Sequence, residues 1–379
     1  MQNQRRKSNS YFAFWHSLNA PTSDAIFATM IRTTYNKKAR FVYGGQYFDA
    51  FQFCALETQL SWLIAAQEVV KFWLDDTEHL ELQTSGSTGH PKKITLPKNV
   101  LQQSALATLA AFNLEEENNA FLFLPCSFIG GKMMVIRTLV GGLHLHLAEP
   151  KLALPQLQRD FDFVALTPMQ ASNSLLQLNC FKRVLLGGGP VHAGLMQKLQ
   201  SIEADVYHSY GMTETASHIA LRKLNGADSN EDFVALKGVS FRVDNRNCLQ
   251  IDAPLWDAKK LQTNDVVELK NARVFVWKGR TDNVINSGGV KIYPEEIEKV
   301  LEQQIDAAFF IGAMPDAKSG EKLVLFIEGA ASYQLDFNAL SKLQRPKQVI
   351  FLPQFEYTET NKINREKTVQ AFLQASEKG

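Results

Sequence analysis

Short apolar runs alternate with helix-like stretches along the chain from about residue 80 onward. The strand-like runs are 120–124, 143–147, 161–166, 183–186 and 205–209, and the helix-like stretches are 97–112, 132–140, 168–178 and 192–202. This alternation predicts βαβ units, and therefore a mostly parallel sheet with helices on its faces. Ligands of such sheets bind in loops at the carboxyl ends of strands. The glycine-rich stretches 86–89 and 187–189 each follow an apolar strand, so both are candidate binding loops.

The pattern changes twice in the second half of the chain. Residues 233–277 alternate with a period of two, which predicts a small β-rich subdomain; its short strands are 239–243, 266–269 and 273–276. A new α+β pattern follows, with predicted helices at 294–304 and 336–343 and predicted strands at 307–312 and 322–328. We therefore predict an α/β protein in which a large N-terminal domain, residues 1–281, precedes a small, mobile α+β C-terminal domain, residues 282–379.

Composition and charge exclude several classes of function. The 379 residues are 45% hydrophobic and 21% charged, which is typical of a soluble globular protein with more than one domain. A net charge of +1 gives no basic face for a nucleic acid, and the chain lacks the ~18 uninterrupted apolar residues of a membrane helix. The four cysteines are widely spaced, which predicts neither a zinc site nor disulfides and favours a cytoplasmic location. The oligomeric state stays open between monomer and homodimer.

The segment 84–92 is the sharpest chemical feature, and its sequence is TSGSTGHPK. Hydroxyl groups and glycine N–H groups packed this densely can surround an anion, and Lys92 adds a positive charge for phosphate oxygens. The spacing does not match the phosphate loop of P-loop NTPases. A plain solvent-exposed turn is the alternative interpretation, but the ordered string favours phosphate contact.

Two further segments carry candidate chemistry. The sequence YGMTET at 210–215 follows the strand-like run 205–209. In it, the ring of Tyr210 can stack on a purine, the hydroxyl of Thr213 can bond a phosphate and the carboxylate of Glu214 can hold Mg²⁺. The glycines at 187–189 end a strand-like run and allow a ligand to approach the backbone closely, although a tight turn is an equally open interpretation. Taken alone, Tyr210 would be a core aromatic residue and Glu214 a surface charge.

Four strings together resemble one protein family: TSGSTGHPK, YGMTET, GRTDNVINSGGVKIYPEEIE and TETNKINR, in that order. They are similar to motifs of the acyl-adenylate-forming superfamily, which contains acyl-CoA ligases, luciferases and peptide-synthetase adenylation domains. The resemblance covers residues 80–367, most of the chain. It implies an enzyme that uses ATP and Mg²⁺ to activate a carboxylic acid and then passes the acyl group to a thiol.

The resemblance also implies a nucleotide site. The phosphates would contact the loop residues Thr84, Ser85, Gly86, Ser87, Thr88, Gly89 and Lys92. The adenine pocket would be shaped by Gly188, Gly189 and Tyr210, while Thr213 would contact the α-phosphate and Glu214 would bind Mg²⁺. Asp265 stands where the family has Thr-Gly-Asp, here Thr-Asn-Asp, and would bind both ribose hydroxyls with support from Arg280.

Two residues near and beyond the predicted domain boundary complete the implied machinery. Asp282 would be the hinge, and Lys362 would bridge the carboxylate, the α-phosphate and the ribose during adenylation. Elementary electrostatics agrees, because two anionic reactants must be shielded from each other by cations as they approach. Lys362 is distant in sequence from the phosphate loop, so closure of the small domain must deliver it.

The segment 124–137, LPCSFIGGKMMVIR, bears on the acid. It is similar to the corresponding segment of o-succinylbenzoate–CoA ligases of menaquinone biosynthesis. Phe128 would be an aromatic gate where many relatives carry His, Gly131 would line the acid site, and Arg137 would bind the second, non-reacting carboxylate. An Arg on a helix is otherwise more often a surface or ion-pair residue.

Free coenzyme A is the expected acceptor, because the chain ends shortly after Arg365 without a carrier domain. Gly288 and Gly289 would then line the pantetheine tunnel after rotation of the small domain. Three alternatives stay open: a ligase for another aryl or fatty acid, a freestanding aminoacyl-adenylating enzyme, and a non-catalytic adenylate-binding protein. The retention of Lys92, Glu214, Asp265 and Lys362 argues against the last of these.

Overall fold

The structure is a computed structural model that describes residues 35–84, 92–329, 333–357 and 363–376. Its strands are β1 Arg40–Tyr43, β2 Gln46–Phe48, β3 His79–Thr84, β4 Lys92–Pro97, β5 Asn119–Leu122, β6 His144–Leu147, β7 Phe161–Leu166, β8 Phe181–Leu186, β9 Asp205–Gly211, β10 His218–Lys223, β11 Asp232–Ala235, β12 Ser240–Val243, β13 Cys248–Ala253, β14 Ala258–Asn271, β15 Val274–Arg280, β16 Ile285–Ser287, β17 Val290–Ile292, β18 Phe309–Asp316, β19 Gly320–Glu328 and β20 Gln348–Leu352. Its α-helices are α1 Ala50–Ala55, α2 Ser61–Leu74, α3 Lys98–Ala111, α4 Ile129–Gly141, α5 Pro168–Ser172, α6 Ala193–Leu199, α7 Pro294–Leu301 and α8 Arg365–Ser376.

One large sheet organises the first two thirds of the chain. Its strand order is β12-β13-β14-β15-β11-β10-β9-β8-β7-β5-β6-β1-β2. The strands from β9 through β8, β7, β5 and β6 to β1 are parallel, as the βαβ pattern predicts. From β9 to β12 every neighbouring pair is antiparallel. The β-rich segment is therefore continuous with the parallel strands, and β9 and β10 join the two halves.

Helix α4 shows how the sequence builds the layer that covers the parallel strands. Most of its residues are buried, which explains its nearly continuous apolar sequence. Gly131 has no room for a side chain, since a Cβ there would lie 2.3 Å from the carbonyl oxygen of Pro125. The helix ends at Gly142, which is left-handed with φ +69° and has its N–H bonded to the carbonyl of Thr138.

The smaller C-terminal sheet has the order β17-β16-β19-β18, with β20 paired in parallel with β19. A short 3-10 helix, Thr281–Asn283, separates its first strand from the end of β15. Helix α7 packs against β18 of this sheet and also against β15 of the large one. Within the described ranges, no helix is both long and apolar enough to cross a membrane.

Three sequence-based predictions of local structure were wrong. The predicted helix 336–343 consists of turns, in which Leu340 bonds back to Phe337 and Gln344 back to Ser341, so no continuous helical ladder forms. The predicted helix 168–178 stops at Ser172 and continues as a 3-10 helix, Leu175–Cys180. The strand before the stretch 86–89 does not lie in the parallel sheet, because β3 pairs with β4 in a separate antiparallel hairpin.

Candidate active site

The candidate site is built around the turn that joins β9 to β10, where the parallel and antiparallel halves of the sheet meet. In the register of this pair Gly211 lies opposite His218 and Tyr210 lies opposite Ala220, with a bulge between His218 and Ala220. Gly211 is required by close packing, since a Cβ there would lie 2.2 Å from the carbonyl oxygen of Ser217. The backbone is therefore closely packed here, and two polar clusters include residues of this segment, one at Tyr210 and one at Ser217.

The first cluster is centred on the carboxylate of Asp265, in β14. The phenol of Tyr210 donates a hydrogen bond to Oδ2 at 2.7 Å, and the indole of Trp277 donates one to Oδ1 at 3.2 Å. The guanidinium of Arg280 lies 3.4 Å from Oδ1 and makes a shorter bond, 2.7 Å, to Asp282. Burial and the neighbouring Asp265 raise the pKa of Tyr210 well above its ordinary value, so the phenol stays a donor. The structure thus brings together Tyr210, Asp265 and Arg280, whereas Lys362, also predicted to contact the ribose, lies outside the described residues.

The glycine stretch 187–189 lies at the carboxyl end of β8, beside the end of β9. Gly188 has φ +83°, and a Cβ on Gly188 or Gly189 would meet open space, so both border a free volume. The imidazole of His208 donates to the carbonyl of Gly189 at 3.1 Å. Burial lowers the pKa of His208 to about 4, so this ring is neutral near pH 7 and fixes the loop without adding charge.

Thr213 and Glu214 lie in a 3-10 helix, Thr213–Thr215, within the β9–β10 turn. Glu214 is exposed, and this short helix contacts β4, the strand that begins at Lys92. The predicted α-phosphate and metal residues therefore lie beside the strand that begins at Lys92. Among the described residues no group of three His, Cys, Asp or Glu side chains could hold a metal ion. A single exposed carboxylate still fits Mg²⁺, which takes its other ligands from nucleotide phosphates and water.

Several predicted residues fall outside what the structure describes. The backbones of Thr84 and Lys92 pair at the base of the β3–β4 hairpin. Ser85, Gly86, Ser87, Thr88 and Gly89 lie outside the described residues, and the side chains of Thr84 and Lys92 are not described either. Lys362 also lies outside them.

The second cluster is centred on Arg137, in α4, which is only 2% exposed. Its Nη2 donates to the hydroxyl of Ser217 at 3.0 Å and its Nη1 contacts the sulfur of Met134 at 3.7 Å. In the described parts of the chain its Nε has no hydrogen-bond partner, and no carboxylate forms an ion pair with it. Burial lowers the pKa of Arg137 to about 9, so the side chain remains a cation at neutral pH. A buried cation left without an anion is costly, so Arg137 is a candidate for binding an anionic ligand.

The other predicted acid-site residues lie at the start of α4. Phe128 precedes the helix and is 58% exposed. Gly131 is buried against the backbone of Pro125, so its role in the structure is to let α4 approach that segment. Both residues lie at the N-terminal end of α4, and a later turn of this helix carries Arg137.

The C-terminal residues are less closely connected with the site. Gly288 and Gly289 form the turn between β16 and β17 with φ +62° and +80°, and the N–H of Gly288 bonds within its own domain to Ser319. The two domains are linked by Glu302, which accepts hydrogen bonds from His192 at 2.8 Å and from the backbone N–H of Ala193 at 2.6 Å. Described contacts place Asp282 beside Arg280, but they do not bring the glycine turn to either polar cluster.

Sequence reasoning missed three residues that contribute to these clusters. Trp277 donates a hydrogen bond to Asp265 from the adjacent strand. Ser217 accepts a hydrogen bond from the guanidinium of Arg137 and is itself bonded to His218. The proximity of Ser217 and His218 to the end of YGMTET could have indicated them. No local signal indicates Trp277, since its partnership with Asp265 depends on strand register.

Comparisons with known proteins place this geometry in one family. A model of AMP-binding enzymes matches residues 82–240. The solved "acyl-CoA synthetase (AMP-forming)/AMP-acid ligase II-like protein" of Dyadobacter fermentans is 36% identical, with 85% of this chain and 98% of that chain covered and a TM-score of 0.58.

Two further relatives carry more specific names. The 2-succinylbenzoate–CoA ligase of Oceanobacillus iheyensis is 25% identical over 75% of this chain and 68% of its own length. The o-succinylbenzoate CoA synthetase of Bacillus subtilis has been solved with its acyl-adenylate intermediate (20% identity, TM-score 0.62, 76% of this chain and 68% of that one). It has also been solved with ATP and magnesium ion (21% identity, TM-score 0.62, 76% of this chain and 69% of that one). With the site described above, these similarities show that the chain belongs to the AMP-binding enzymes, as an AMP-forming acyl-CoA synthetase and hence an acid–thiol ligase.

Proposed function

We propose that this protein is an o-succinylbenzoate–CoA ligase, which converts o-succinylbenzoate, ATP and coenzyme A into o-succinylbenzoyl-CoA, AMP and pyrophosphate. The observation that carries the proposal is Arg137, a buried cation without a carboxylate partner in the described chain, which is bonded to Ser217 of the β9–β10 turn. A dicarboxylic acid supplies the missing anion with the carboxylate that does not react. Curated relatives at 24–28% identity are named for this acid, which supports the choice.

ATP would occupy the carboxyl ends of β8 and β9. Gly188 and Gly189 border open space suited to the adenine, and the ring edge of Tyr210 would complete the pocket. Asp265 would accept both ribose hydroxyls, and its two oxygens are already oriented by Tyr210, Trp277 and Arg280. This prior orientation lowers the entropy lost on binding.

The phosphates would lie between the β3–β4 hairpin and the β9–β10 turn. Thr213 would contact the α-phosphate, and the loop that follows Thr84, together with Lys92, would bind the β- and γ-phosphates. When bound, Mg²⁺ would neutralise the phosphate oxygens, with Glu214 as its protein ligand. The contact between the 3-10 helix and β4 supports this arrangement.

The acid would enter past Phe128 and place its second carboxylate against the guanidinium of Arg137, whose Nε is buried without a hydrogen-bond partner among the described residues. Its reacting carboxylate then attacks the α-phosphorus, and the bond to the β-phosphate oxygen breaks, releasing pyrophosphate. Lys362 would shield the two anions in this step, and no protein nucleophile is needed.

Thioester formation would follow a rotation of the C-terminal domain about Asp282. That rotation removes Lys362 and brings the turn at Gly288 and Gly289 to the site, where the left-handed glycines leave room for the pantetheine arm. The coenzyme A sulfur attacks the acyl carbon, and the carbon–oxygen bond to AMP breaks.

The test is an acid panel with mass detection of the thioester. The protein is incubated with Mg·ATP, coenzyme A and either o-succinylbenzoate, β-benzoylpropionate (the same skeleton with one carboxylate), benzoate or a medium-chain fatty acid. We expect a coenzyme A thioester of o-succinylbenzoate and far less product from the single-carboxylate analogue. A preference for a monocarboxylic acid would refute the assignment of the acid while leaving the family unchanged.

A further inference from the structure

A chain of hydrogen bonds runs through the core from helix α3 to Arg137. Its members are Thr108 in α3, His218 at the start of β10, Ser217 in the turn and Arg137 in α4. Thr108 is 0%, His218 4% and Arg137 2% exposed. The links are 3.4 Å from Thr108 Oγ1 to His218 Nε2, 3.2 Å from His218 Nδ1 to Ser217 Oγ and 3.0 Å from Ser217 Oγ to Arg137 Nη2.

The surroundings decide which way each of these bonds runs. The Thr108 hydroxyl donates to the carbonyl of Ser104 at 3.0 Å, so toward His218 it can only accept. With that polarity His218 carries its proton on Nε2. At the other end Arg137 can only donate to Ser217, which leaves the hydroxyl hydrogen of Ser217 for His218 Nδ1. This assignment pairs every side-chain hydrogen of the chain with a described acceptor, and it has a neutral His218.

The same arrangement opposes protonation of the ring. Burial, and then the nearby charge of Arg137, hold the pKa of His218 well below its ordinary range. A proton on Nδ1 would also change this nitrogen from an acceptor into a donor toward the Ser217 hydroxyl, which would break the chain. The polarity is thus a fixed property of the core near pH 7.

We propose that Thr108, His218 and Ser217 form a polarised relay that holds the Arg137 guanidinium in one orientation with its Nε free, so that His218 is a positioning residue for recognition of the acid's second carboxylate. This inference rests on the proposed function, which supplies the dicarboxylic acid. Arg137 has no anion to orient it in the described chain, so the single bond to Ser217 and the contact with Met134 fix the plane of its fork. A carboxylate forms two parallel hydrogen bonds to a guanidinium only when it lies in the plane of that group, so the orientation of the plane affects acid binding.

The first test is spectroscopic and does not depend on turnover. The full-length protein is labelled with ¹⁵N-histidine, and the His218 ring signals are assigned by their loss in His218→Gln. We expect the neutral tautomer with the proton on Nε2 throughout the range from pH 6 to pH 8. A ring protonated on Nδ1, alone or as the imidazolium, overturns the relay.

The second test separates positioning from mere stability. Ser217→Ala removes the bond to Arg137, and His218→Gln removes the acceptor at Nδ1 that orients the Ser217 hydroxyl, whereas His218→Asn keeps an acceptor near the position of Nδ1. We expect the first two to raise KM for o-succinylbenzoate about tenfold, as the loss of ~1.4 kcal/mol implies, with KM for ATP unchanged. His218→Asn should have a KM for o-succinylbenzoate close to the wild-type value. His146→Gln serves as the matched control, because His146 is also buried, has its pKa lowered to about 4 and lies in β6 outside the site.

The outcomes distinguish the relay from the proposed function. If Ser217→Ala and His218→Gln keep the wild-type KM for the acid while Arg137→Met raises it, the relay is refuted and the proposed function stands. If the wild-type protein makes no thioester from any dicarboxylic acid, the proposed function fails and the positioning role fails with it. The tautomer measurement then still shows whether the hydrogen bonds run as inferred.

Discussion

Replacing Arg137 by Met should stabilise the unliganded protein and impair its use of a dicarboxylic acid. Met has a similar length and no charge, so the substitution removes the buried cation without opening a large cavity. The groups left behind are tolerant: the Ser217 hydroxyl keeps His218 as a partner, and Met134 is apolar. Stability and activity should therefore change in opposite directions.

The size of each effect follows from the surroundings of the guanidinium. A pKa lowered from 12.5 to about 9 corresponds to a desolvation cost of ~5 kcal/mol for the charged form. The lost bond to Ser217 and lost packing offset part of that, so we expect a gain in the free energy of unfolding of ~1–3 kcal/mol. Loss of a charge-assisted bond to the acid should cost ~1.5–3 kcal/mol, or roughly a 10- to 150-fold rise in KM.

The assay pairs thermal unfolding of the unliganded protein with KM for o-succinylbenzoate, β-benzoylpropionate and ATP. Arg273→Met is the matched control, because Arg273 is partly buried and bonds to the carbonyl of Ala235, which the substitution leaves unpaired. That variant should be less stable with an unchanged KM for the acid. The reasoning is refuted if Arg137→Met lowers the melting temperature and leaves the KM for o-succinylbenzoate at the wild-type value.

Two further predictions concern the nucleotide and the domain contact. Tyr210→Phe removes the 2.7 Å bond to Asp265 and should raise KM for ATP roughly tenfold or more without changing KM for the acid; equal effects on both would contradict a ribose role for Asp265. The hydrogen bond to Glu302 raises the pKa of His192 above 6.5, so protonation favours the docked domains, and docking should weaken as pH rises through that raised pKa. Distances between spin labels on the two domains should lengthen over this range in the wild type but stay independent of pH in His192→Gln; identical behaviour of the two proteins would argue against the contact.

The sequence predicted the parallel half of the sheet well, because βαβ units are encoded locally. The predicted strand 161–166 matches β7, and the predicted strand 205–209 lies within β9. The helix predicted at 336–343 failed because Asp336 and Ser341 bond to nearby backbone and side-chain groups, which stabilises turns in place of a helical ladder. Pairing between distant strands, such as β11 with β15, also left no local signal.

The same division holds for the site. Asp265, Tyr210 and Arg280 could be named because each stands in a recognisable motif, and the structure brings them together. Thr108 and His218 could not be predicted as site residues from the sequence. They come together only because α3, α4 and β10 pack against one another, and their roles depend on which atom donates each hydrogen bond. Residues that act through burial and bond polarity become visible only when the fold is known.

The most direct test of the central claim is acid-dependent exchange of labelled pyrophosphate into ATP in the absence of coenzyme A. Exchange reports reversible acyl-adenylate formation alone, which is the step that needs two anions in one shielded cleft. We expect exchange with o-succinylbenzoate, and its loss in Lys362→Ala, which should still form the thioester from supplied acyl-AMP. Exchange that is independent of the acid, or undiminished in Lys362→Ala, would contradict the account.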